Sequence, residues 1–494
     1  MLHINGSAKT LCTGMTRRDL LQIGGISGLG LGMTGPGRAA TISQPGQPRA
    51  KSCIFVFLFG SPPQHETFDP KPMAAAEIQG EMKSIETAAP GLQICEGLPR
   101  IARIADRLTV VRSMTHDYPI HCCAYVMTGM PTYSIPLETA PRAPEHWPFM
   151  GSVVDYLDAR KTGQPSPSMP RSIGLPWRFC SRGSSPEQAG PYAAFLGSGY
   201  DPFWTDFAGQ GTVVVPRLSD GQTEQVKDPH AGIEAHARFQ LSPGCQLPQE
   251  LSLNRFDARM HLLQQFDSAR PLLDQAASTG NYQAHQQRAF SLIGSNRIRD
   301  ALDVGRESPE LRERYGVTLF GQSCLAARRL VEAGARFVSV FWDPFGPHGA
   351  SVWDTHSNHF PRLKNYLLPV FDQSYSALIS DLDDRGLLDE TLVICTSEHG
   401  RTPQIDSKPV GAARHHWSRA YSSVFAGGGV ARGKVVGKTD AVAGDVVETP
   451  VSPKDMQATA YHLLGYDETT TIPDQQGRPH PIAGDGRVCH ELLG

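Results

Sequence analysis

Continuous apolar runs along the chain predict buried strands. Five runs rich in β-branched and aromatic residues are predicted as strands: Cys53–Phe59, Leu108–Val111, Arg336–Trp342, Leu392–Thr396 and Ser422–Ala426. A run that is apolar at every position is typical of a strand covered on both faces, as in a parallel sheet. The pattern therefore predicts a largely parallel sheet.

Helical periodicity appears between these runs. One set of apolar residues recurs at steps of three and four and forms a single helix face: Leu363, Leu367, Val370, Phe371, Leu378 and Leu382. Gly386 is placed to end that helix before the next strand. A second helix is predicted at Cys324–Ala333. Strands alternating with helices predict an α/β fold, a mainly parallel sheet sandwiched by helices, with functional sites at the carboxyl ends of the strands.

Two segments interrupt this alternation. The segment from about residue 131 to 248 is rich in proline, glycine and serine and is predicted to form a long loop excursion over the sheet edge. The segment from about residue 249 to 315 is predicted to form a helical insertion. We therefore expect one α/β domain over residues 40–494.

Residues 1–39 are predicted to be a twin-arginine signal peptide. Arg17 and Arg18 precede an apolar stretch, Leu20–Met33, which is too short to span a bilayer, and small residues follow where a peptidase could cut. We expect the Tat export machinery to be a partner and the periplasm or cell envelope, or the extracellular space, to be the destination. No transmembrane span is expected after the signal is removed.

Composition narrows the function classes further. The 494 residues include 46 Lys+Arg and 49 Asp+Glu, and the net charge of −3 argues against a nucleic-acid binder, which would carry a basic excess. Nine cysteines follow residue 39 without a repeating spacing, which argues against a disulfide framework and a zinc ribbon.

Polar clusters follow four of the predicted strands. Their candidate metal ligands are His65, Glu66, Asp69, Asp354, His356, His359, Glu398, His399 and His416. The carboxyl ends of neighbouring parallel strands meet at one edge of a sheet, so these groups are expected to converge. Imidazole and carboxylate ligands suit a divalent metal ion, with Zn, Mn, Ca and Mg left open. The alternative is that these residues only form hydrogen bonds within loops.

Several motifs resemble, in order, those of the DUF1501 family of exported bacterial proteins. They are Phe57–Pro62, Thr67–Pro72, Met127–Gly129, Leu319–Gly334, Trp353–His356, Glu398–Pro403, His416–Trp417 and Ala426–Gly429. The resemblance covers roughly residues 50–494. It implies a fold similar to those of sulfatases and alkaline phosphatases, while the activity of the family itself is largely undefined.

The resemblance also implies roles for individual residues. Glu398 and His399 look like the metal-binding pair of a Ser-Asp-His-Gly element, with Glu in place of Asp. Asp354, with His356 or His359, is similar to the Asp and His ligands of the preceding element, and His416 could stand for the last ligand. In the superfamily of sulfatases and alkaline phosphatases, the first metal-binding Asp stands at the end of the first strand, where this chain has Gly60 and Ser61. His65, Glu66 or Asp69 would have to take the role of that Asp.

The nucleophile of the superfamily has no clear counterpart. The Cys-x-Pro-x-Arg motif that formylglycine requires is missing, so a formylglycine sulfatase is not expected. Met127–Pro131 still resembles the segment that follows the sulfatase nucleophile. This places the nucleophile region at about 117–123, which contains Asp117, His121, Cys122 and Cys123.

Two functions remain open from the sequence. The first is a metal-assisted hydrolase of phosphate or sulfate esters, acting on a small anionic ester or glycan. Asp117 or His121 would lie near the attacking group, and Arg401 or Arg414 would neutralise the ester oxyanion. The second is a non-catalytic, sulfatase-like protein that binds an anionic ligand or glycan in the cell envelope.

Overall fold

The five predicted strands all form in the computed structural model, and all belong to one nine-stranded sheet. The structure describes residues 49–494 except 119, 132–133, 163–168, 183–185, 220–221, 228–231, 235, 242–254, 256–257, 260–261, 263–295 and 344–351. The predicted signal peptide lies outside the described residues, as does most of the predicted helical insertion.

The strands are given in chain order. They are β1 (Ser52–Leu58), β2 (Ser84–Glu86), β3 (Gln93–Cys95), β4 (Leu108–Met114), β5 (Ser172–Leu175), β6 (Phe203–Ala208), β7 (Val214–Ser219), β8 (Gln222–Lys227), β9 (Arg238–Leu241), β10 (Phe337–Trp342), β11 (Thr391–Thr396), β12 (Gly400–Arg401), β13 (His416–Trp417), β14 (Tyr421–Ala426), β15 (Lys434–Val436), β16 (Lys438–Thr439), β17 (Val446–Glu448), β18 (Thr471–Pro473) and β19 (Pro479–Pro481).

The main sheet has the order β15-β4-β14-β11-β1-β10-β5-β6-β9. β14 and β9 run antiparallel to their neighbours, and the other pairs are parallel. β1 lies in the middle, with Cys53 opposite Phe337 on one side and Leu392 on the other. The mainly parallel sheet is confirmed, but the antiparallel direction of β14 could not be inferred from its apolar run.

Helices cover both faces of the sheet. They are α1 (Ala76–Gln79), α2 (Pro99–Arg103), α3 (Cys123–Thr128), α4 (Ile135–Glu138), α5 (Met150–Thr162), α6 (Asn296–Leu302), α7 (Pro309–Tyr315), α8 (Leu319–Glu332), α9 (His359–Arg362), α10 (Leu368–Asp384) and α11 (Pro453–Leu463), with a π-helical turn at Leu363–Leu367 before α10.

The alternation of side chains along β1 divides the core into two layers. Ile54 and Val56 face the layer that contains α8 and α10, and Phe55 and Phe57 face the layer that contains α5 and α11. Every residue of β1 is buried, as expected for a strand between two helical layers. The α/β architecture with helices on both faces is therefore confirmed.

The segment at about 131–248 holds more regular structure than its composition predicts. It contains α5, and it adds β5, β6 and β9 to the main sheet. β5 and β9 have four residues each, too few to produce a clear periodicity in the sequence. Pro48–Gly494 forms one compact unit. Among the described residues, no helix is both long and apolar enough to cross a membrane.

A buried carboxyl group directly after β10 leads to a pH-dependent prediction. Asp343 accepts hydrogen bonds from Trp177 Nε1 at 2.5 Å and from the Cys180 backbone N–H at 2.8 Å. Burial raises the pKa of Asp343 to about 7, although these donors lower it. The folded-state pKa thus exceeds the unfolded value of about 3.9, so the stability due to this group is full below pH 4 and is lost as the pH rises towards 7.

Replacing Trp177 with phenylalanine removes a donor to the Asp343 carboxylate. We expect the pKa of Asp343 to rise and the variant to lose about 1.5–3 kcal/mol more stability at pH 8 than at pH 5, because only the charged form needs that donor. Urea unfolding at both pH values measures the difference. Trp147→Phe is the matched control, since Trp147 Nε1 has no hydrogen-bond partner in the described part of the chain. An equal loss at both pH values in Trp177→Phe would contradict the prediction.

Candidate metal centre

Side chains that follow β4, β10 and β11 meet around one carboxylate at the carboxyl edge of the sheet. We call this group the Asp354 centre, and its members are His121, Asp354, His356, Glu398, His399 and His416. Glu398 and His399 follow the end of β11 directly, and His416 is brought back by the pairing of β13 with β12. The convergence follows from the parallel strands, whose carboxyl ends lie at the same edge.

Asp354 is the shared acceptor of the centre. Its Oδ1 lies 2.6 Å from Arg401 Nη2, 3.0 Å from His356 Nε2 and 3.3 Å from His416 Nε2. Its Oδ2 lies 3.4 Å from His121 Nε2. Burial alone would raise the pKa of Asp354, but these histidines and the guanidinium together hold it well below its usual range. The carboxylate is therefore charged at every physiological pH.

His121 bridges the two carboxylates of the centre. Its Nδ1 lies 2.8 Å from Glu398 Oε1, and its Nε2 faces Asp354. Burial opposes the charged imidazolium, but the two carboxylates outweigh burial and raise the pKa of His121 to about 9. In this arrangement His121 holds a proton on each ring nitrogen at neutral pH and neutralises the acidic side of the centre.

Gly60, which follows the end of β1, allows the backbone to approach the centre closely. Its φ is +96°, and a Cβ at this position would lie 2.4 Å from the Asp354 backbone nitrogen. Its own N–H donates to Glu398 Oε1 at 2.7 Å. Any side chain here would both strain the backbone and collide with the segment that carries Asp354.

His399 presents an unpartnered nitrogen to the interior. The ring is fully buried, and its Nδ1–H donates to the Gly400 carbonyl at 2.8 Å, which leaves Nε2 as the lone-pair atom. Among the described residues, neither His399 Nε2 nor the buried Glu398 Oε2 has a hydrogen-bond partner. Burial, and then the nearby positive charges, hold the pKa of His399 well below its usual range. A neutral, buried imidazole without a partner is what a metal ligand requires.

Two overlapping groups in the centre have their ligand atoms within 4.8 Å of one another. One is His121, His399 and His416, and the other is Asp354, His356 and His416. In the second group, Nε2 of His356 lies 2.9 Å from Nε2 of His416. Ligands at about 2.0–2.1 Å from a tetrahedral ion lie roughly 3.3 Å apart, so these atoms are close to the spacing that zinc requires. The donor set and the orphaned His399 nitrogen therefore fit a divalent ion.

Two other predicted ligands, His65 and Asp69, and the predicted catalytic residue Asp117 lie elsewhere. His65 Nε2 faces the Val442 carbonyl at 2.8 Å. Asp69 is paired with Lys71 at 3.0 Å and Arg112 at 3.4 Å. Asp117 is exposed in the loop after β4. The structure does not bring these three into the Asp354 centre, and their predicted roles stay predictions.

Glu66, His359 and Arg414 form a second buried cluster. Glu66 Oε1 accepts from Arg414 Nη2 at 2.7 Å, and Glu66 Oε2 lies 3.3 Å from His359 Nε2. Burial would raise the pKa of Glu66, but Arg414 and His359 hold it well below its usual range. His359 is fixed in turn by Thr355, whose hydroxyl lies 2.7 Å from His359 Nδ1. The sequence could not separate this cluster from the centre because Thr355 and His359 flank His356 in one motif.

Arg401 and Arg414, the two arginines predicted to neutralise the ester oxyanion, are fully buried and hydrogen-bonded within the protein. Arg401 donates to Asp354 and to the carbonyls of Gly60, Ser61, Trp353 and Arg414. Arg414 donates to Glu66 and to the carbonyls of Thr402, Pro403 and Ile78. In this conformation both guanidinium groups are engaged in holding the loops together rather than facing an open site.

Sequence reasoning did not single out some groups that shape the centre. The N–H of Gly60 binds Glu398, and His116 Nε2 donates to the Glu398 carbonyl at 2.7 Å. His415 Nδ1 lies 2.9 Å from His356 Nδ1, and its Nε2 lies 3.2 Å from Asp406 Oδ2. His116 and His415 lie in the polar clusters that follow the predicted strands, and this position is the only sequence signal for them. A backbone N–H donor such as that of Gly60 leaves no signal in the sequence.

The fold and this edge define an α/β protein with a candidate divalent-metal centre at the carboxyl ends of a mainly parallel sheet. The chain belongs to the family described as "Protein of unknown function (DUF1501)", whose model matches residues 50–493. The resemblance seen in the motifs is thereby confirmed. No curated protein sequence matches the chain significantly.

Several solved structures are similar at low identity. The phosphonate monoester hydrolase SpPMH from Silicibacter pomeroyi is 11% identical with a TM-score of 0.36, covering 90% of this chain and 76% of that chain. The sulfatase PsFucS1 from Pseudoalteromonas sp. is 12% identical with a TM-score of 0.37, covering 85% and 68%. Ps i-CgsB in complex with k-i-k-neocarrahexaose is 13% identical with a TM-score of 0.37, covering 84% and 72%. The chemistry of the centre therefore rests on its own residues.

Proposed function

We propose that this protein is an exported, metal-assisted hydrolase of phosphate or sulfate esters. The observation that carries the proposal is the Asp354 centre itself. It joins the carboxylates of Asp354 and Glu398 to four imidazoles, and it contains a fully buried His399 nitrogen that has no partner within the described residues. Such a nitrogen costs stability unless a ligand satisfies it.

The residues that would hold the ion belong to the two groups that share His416, one with His399 and the other with Asp354 and His356. They offer imidazole nitrogens and a carboxylate oxygen, a set that favours zinc or manganese over the harder calcium and magnesium ions. A bound ion would supply Lewis-acid chemistry, polarising the ester and making water acidic enough to attack. Arg401 fixes the orientation of Asp354 by its 2.6 Å hydrogen bond.

The remaining residues of the centre control protons. His121 holds a proton at Nδ1 against Glu398 and another at Nε2 against Asp354, so it can supply one to a leaving oxygen at the open side of the centre. Burial raises the pKa of the Cys122 and Cys123 thiols well above the usual value, so neither is a thiolate at neutral pH. The proposal therefore assigns no cysteine nucleophile, and it does not need formylglycine.

A second candidate is non-catalytic binding of an anionic ligand or glycan at the same edge. The engagement of Arg401 and Arg414 by carbonyls and carboxylates counts against catalysis in which either guanidinium neutralises the ester oxyanion, and so keeps this candidate open. Export by the Tat route belongs to both candidates and rests on the arginine pair and apolar stretch of residues 1–39.

The proposal is tested with the mature protein purified from exported material. Metal analysis should find zinc or manganese at one or more ions per chain, and aryl phosphates, phosphonates and sulfates should be hydrolysed in a chelator-sensitive way. Metal-free wild type that neither regains an ion nor turns over any ester would overturn the proposal. Glycan binding without turnover in metal-loaded protein would favour the second candidate. Fusing residues 1–39 to a reporter, with Arg17 and Arg18 changed to lysine as the control, tests export separately.

A further inference from the structure

A cavity of about 350 Å³ lies far from the Asp354 centre and is lined by cations. Its wall includes Arg100 and Arg103 on α2, Arg314 on α7, and the serines Ser376 and Ser380 on α10. The three arginines are exposed, while Ser376 is buried. We call this cavity the arginine pocket.

The arginine pocket lies at the opposite end of the sheet from the centre. The 3₁₀ turn Ala105–Arg107 connects α2 to the amino end of β4, and α10 leads to the amino end of β11. His121 of the Asp354 centre follows the carboxyl end of β4, and Glu398 and His399 follow that of β11. A seven-residue strand spans roughly 20 Å, so the pocket cannot form part of the centre.

The nearby carboxylates form no ion pair with Arg100 or Arg103 in the described part of the chain, although the charges of these two arginines oppose the burial that raises the pKa of Asp372. Asp372 uses its carboxylate on the backbone N–H groups of Arg100 and Ile101, at 2.8–3.1 Å, and so binds the start of α2 rather than a guanidinium. Asp384 pairs with Arg314 at 3.0 Å, and Asp383 pairs with Arg107 at 3.2 Å.

Two of the three guanidinium groups therefore have no ion pair with a carboxylate in the described part of the chain. Among the described residues, Arg100 and Arg103 have no side-chain hydrogen bond or ion pair. They stand three residues apart on one helix, so they share a face of α2. Arg100 and Arg103 carry like charges on this shared face without an ion pair, and an anion bound between them would reduce their mutual repulsion.

We propose that the arginine pocket is a second, non-catalytic site for a tetrahedral oxyanion group, a phosphate or sulfate. Planar guanidinium groups bind such oxyanions through paired hydrogen bonds, whereas the buried Ser376 hydroxyl already donates to the Gln373 carbonyl. The group can belong to a free inorganic ion or to a phosphorylated or sulfated polymer. In the second case the pocket would anchor a long anionic chain away from the centre.

Calorimetric titration of the mature, full-length protein with inorganic phosphate and with dextran sulfate tests the pocket. The double variant Arg100→Gln/Arg103→Gln is expected to weaken binding of at least one probe tenfold or more, because each charge-assisted contact contributes strongly. Loss of phosphate binding identifies a free-anion site, and loss of dextran sulfate binding alone identifies a polymer site. Arg103→Lys should give an intermediate affinity, since it keeps the charge without the paired geometry.

Arg160→Gln is the matched control, because Arg160 is an exposed arginine on α5, in the layer on the other face of the sheet. The double variant should keep the thermal midpoint, the metal content and any ester hydrolysis of the wild type, so the result does not depend on the proposed activity. Equal affinities in wild type, the double variant and Arg160→Gln would overturn the proposal. Equal binding of uncharged dextran and of dextran sulfate by the wild type would overturn it too.

Discussion

Replacing His399 with alanine is expected to weaken metal binding and slow ester hydrolysis strongly while the metal-free protein stays folded. The wild-type ring is fully buried, and its Nε2 has no partner among the described residues, so the variant loses no hydrogen bond there. The bond from Nδ1 reaches only the neighbouring Gly400 carbonyl. Metal affinity and turnover should each fall by roughly 100-fold or more, since changes even in residues behind a metal ligand cost about 10–100-fold.

Thermal unfolding with and without added zinc separates these effects. Wild type should gain about 2.7 kcal/mol when free metal is about 100 times its dissociation constant, whereas His399→Ala should gain almost nothing. His462→Ala is the matched control, because His462 is a half-buried histidine on α11, outside the centre. It should behave as wild type. Undiminished metal stabilisation in His399→Ala would rule out His399 as a ligand.

The sheet could be predicted from the sequence where its strands are long and apolar. Cys53–Phe59 was predicted and Ser52–Leu58 is observed, because a strand covered on both faces needs apolar side chains at every position. The direction of β14 and the short strands β5 and β9 could not be predicted. Strand direction depends on the path of the connecting loops, and four residues are too few to set a periodicity.

The location of the site could be predicted from the sequence more reliably than the set of its ligands. Histidines and carboxylates after parallel strands had to meet at one edge, and Asp354, His121 and His399 do meet there. The sequence could not show that Glu66 is instead neutralised by Arg414, because that pairing joins residues 348 positions apart. It also could not show which nitrogen remains without a partner, since that depends on every neighbour of the folded ring.

Replacing Arg401 with glutamine is expected to cause the largest loss of stability among the single changes considered. The guanidinium is fully buried and binds Asp354 together with the carbonyls of Gly60, Ser61 and Trp353. Removing it leaves a largely buried carboxylate without its guanidinium partner. The free energy of unfolding should fall by about 3–5 kcal/mol, measured by urea unfolding of the metal-free protein.

Arg306→Gln is the matched control, since its ion pair with Asp300 is exposed and its loss should cost at most about 1 kcal/mol. Arg401→Lys should fall between the two, because an ammonium keeps the charge but cannot reach all the carbonyls. If Arg401 bound the substrate oxyanion directly, its removal would raise KM and leave stability close to that of Arg306→Gln. If it holds Asp354 in place, stability and metal affinity fall together, because the ligand loses the group that orients it.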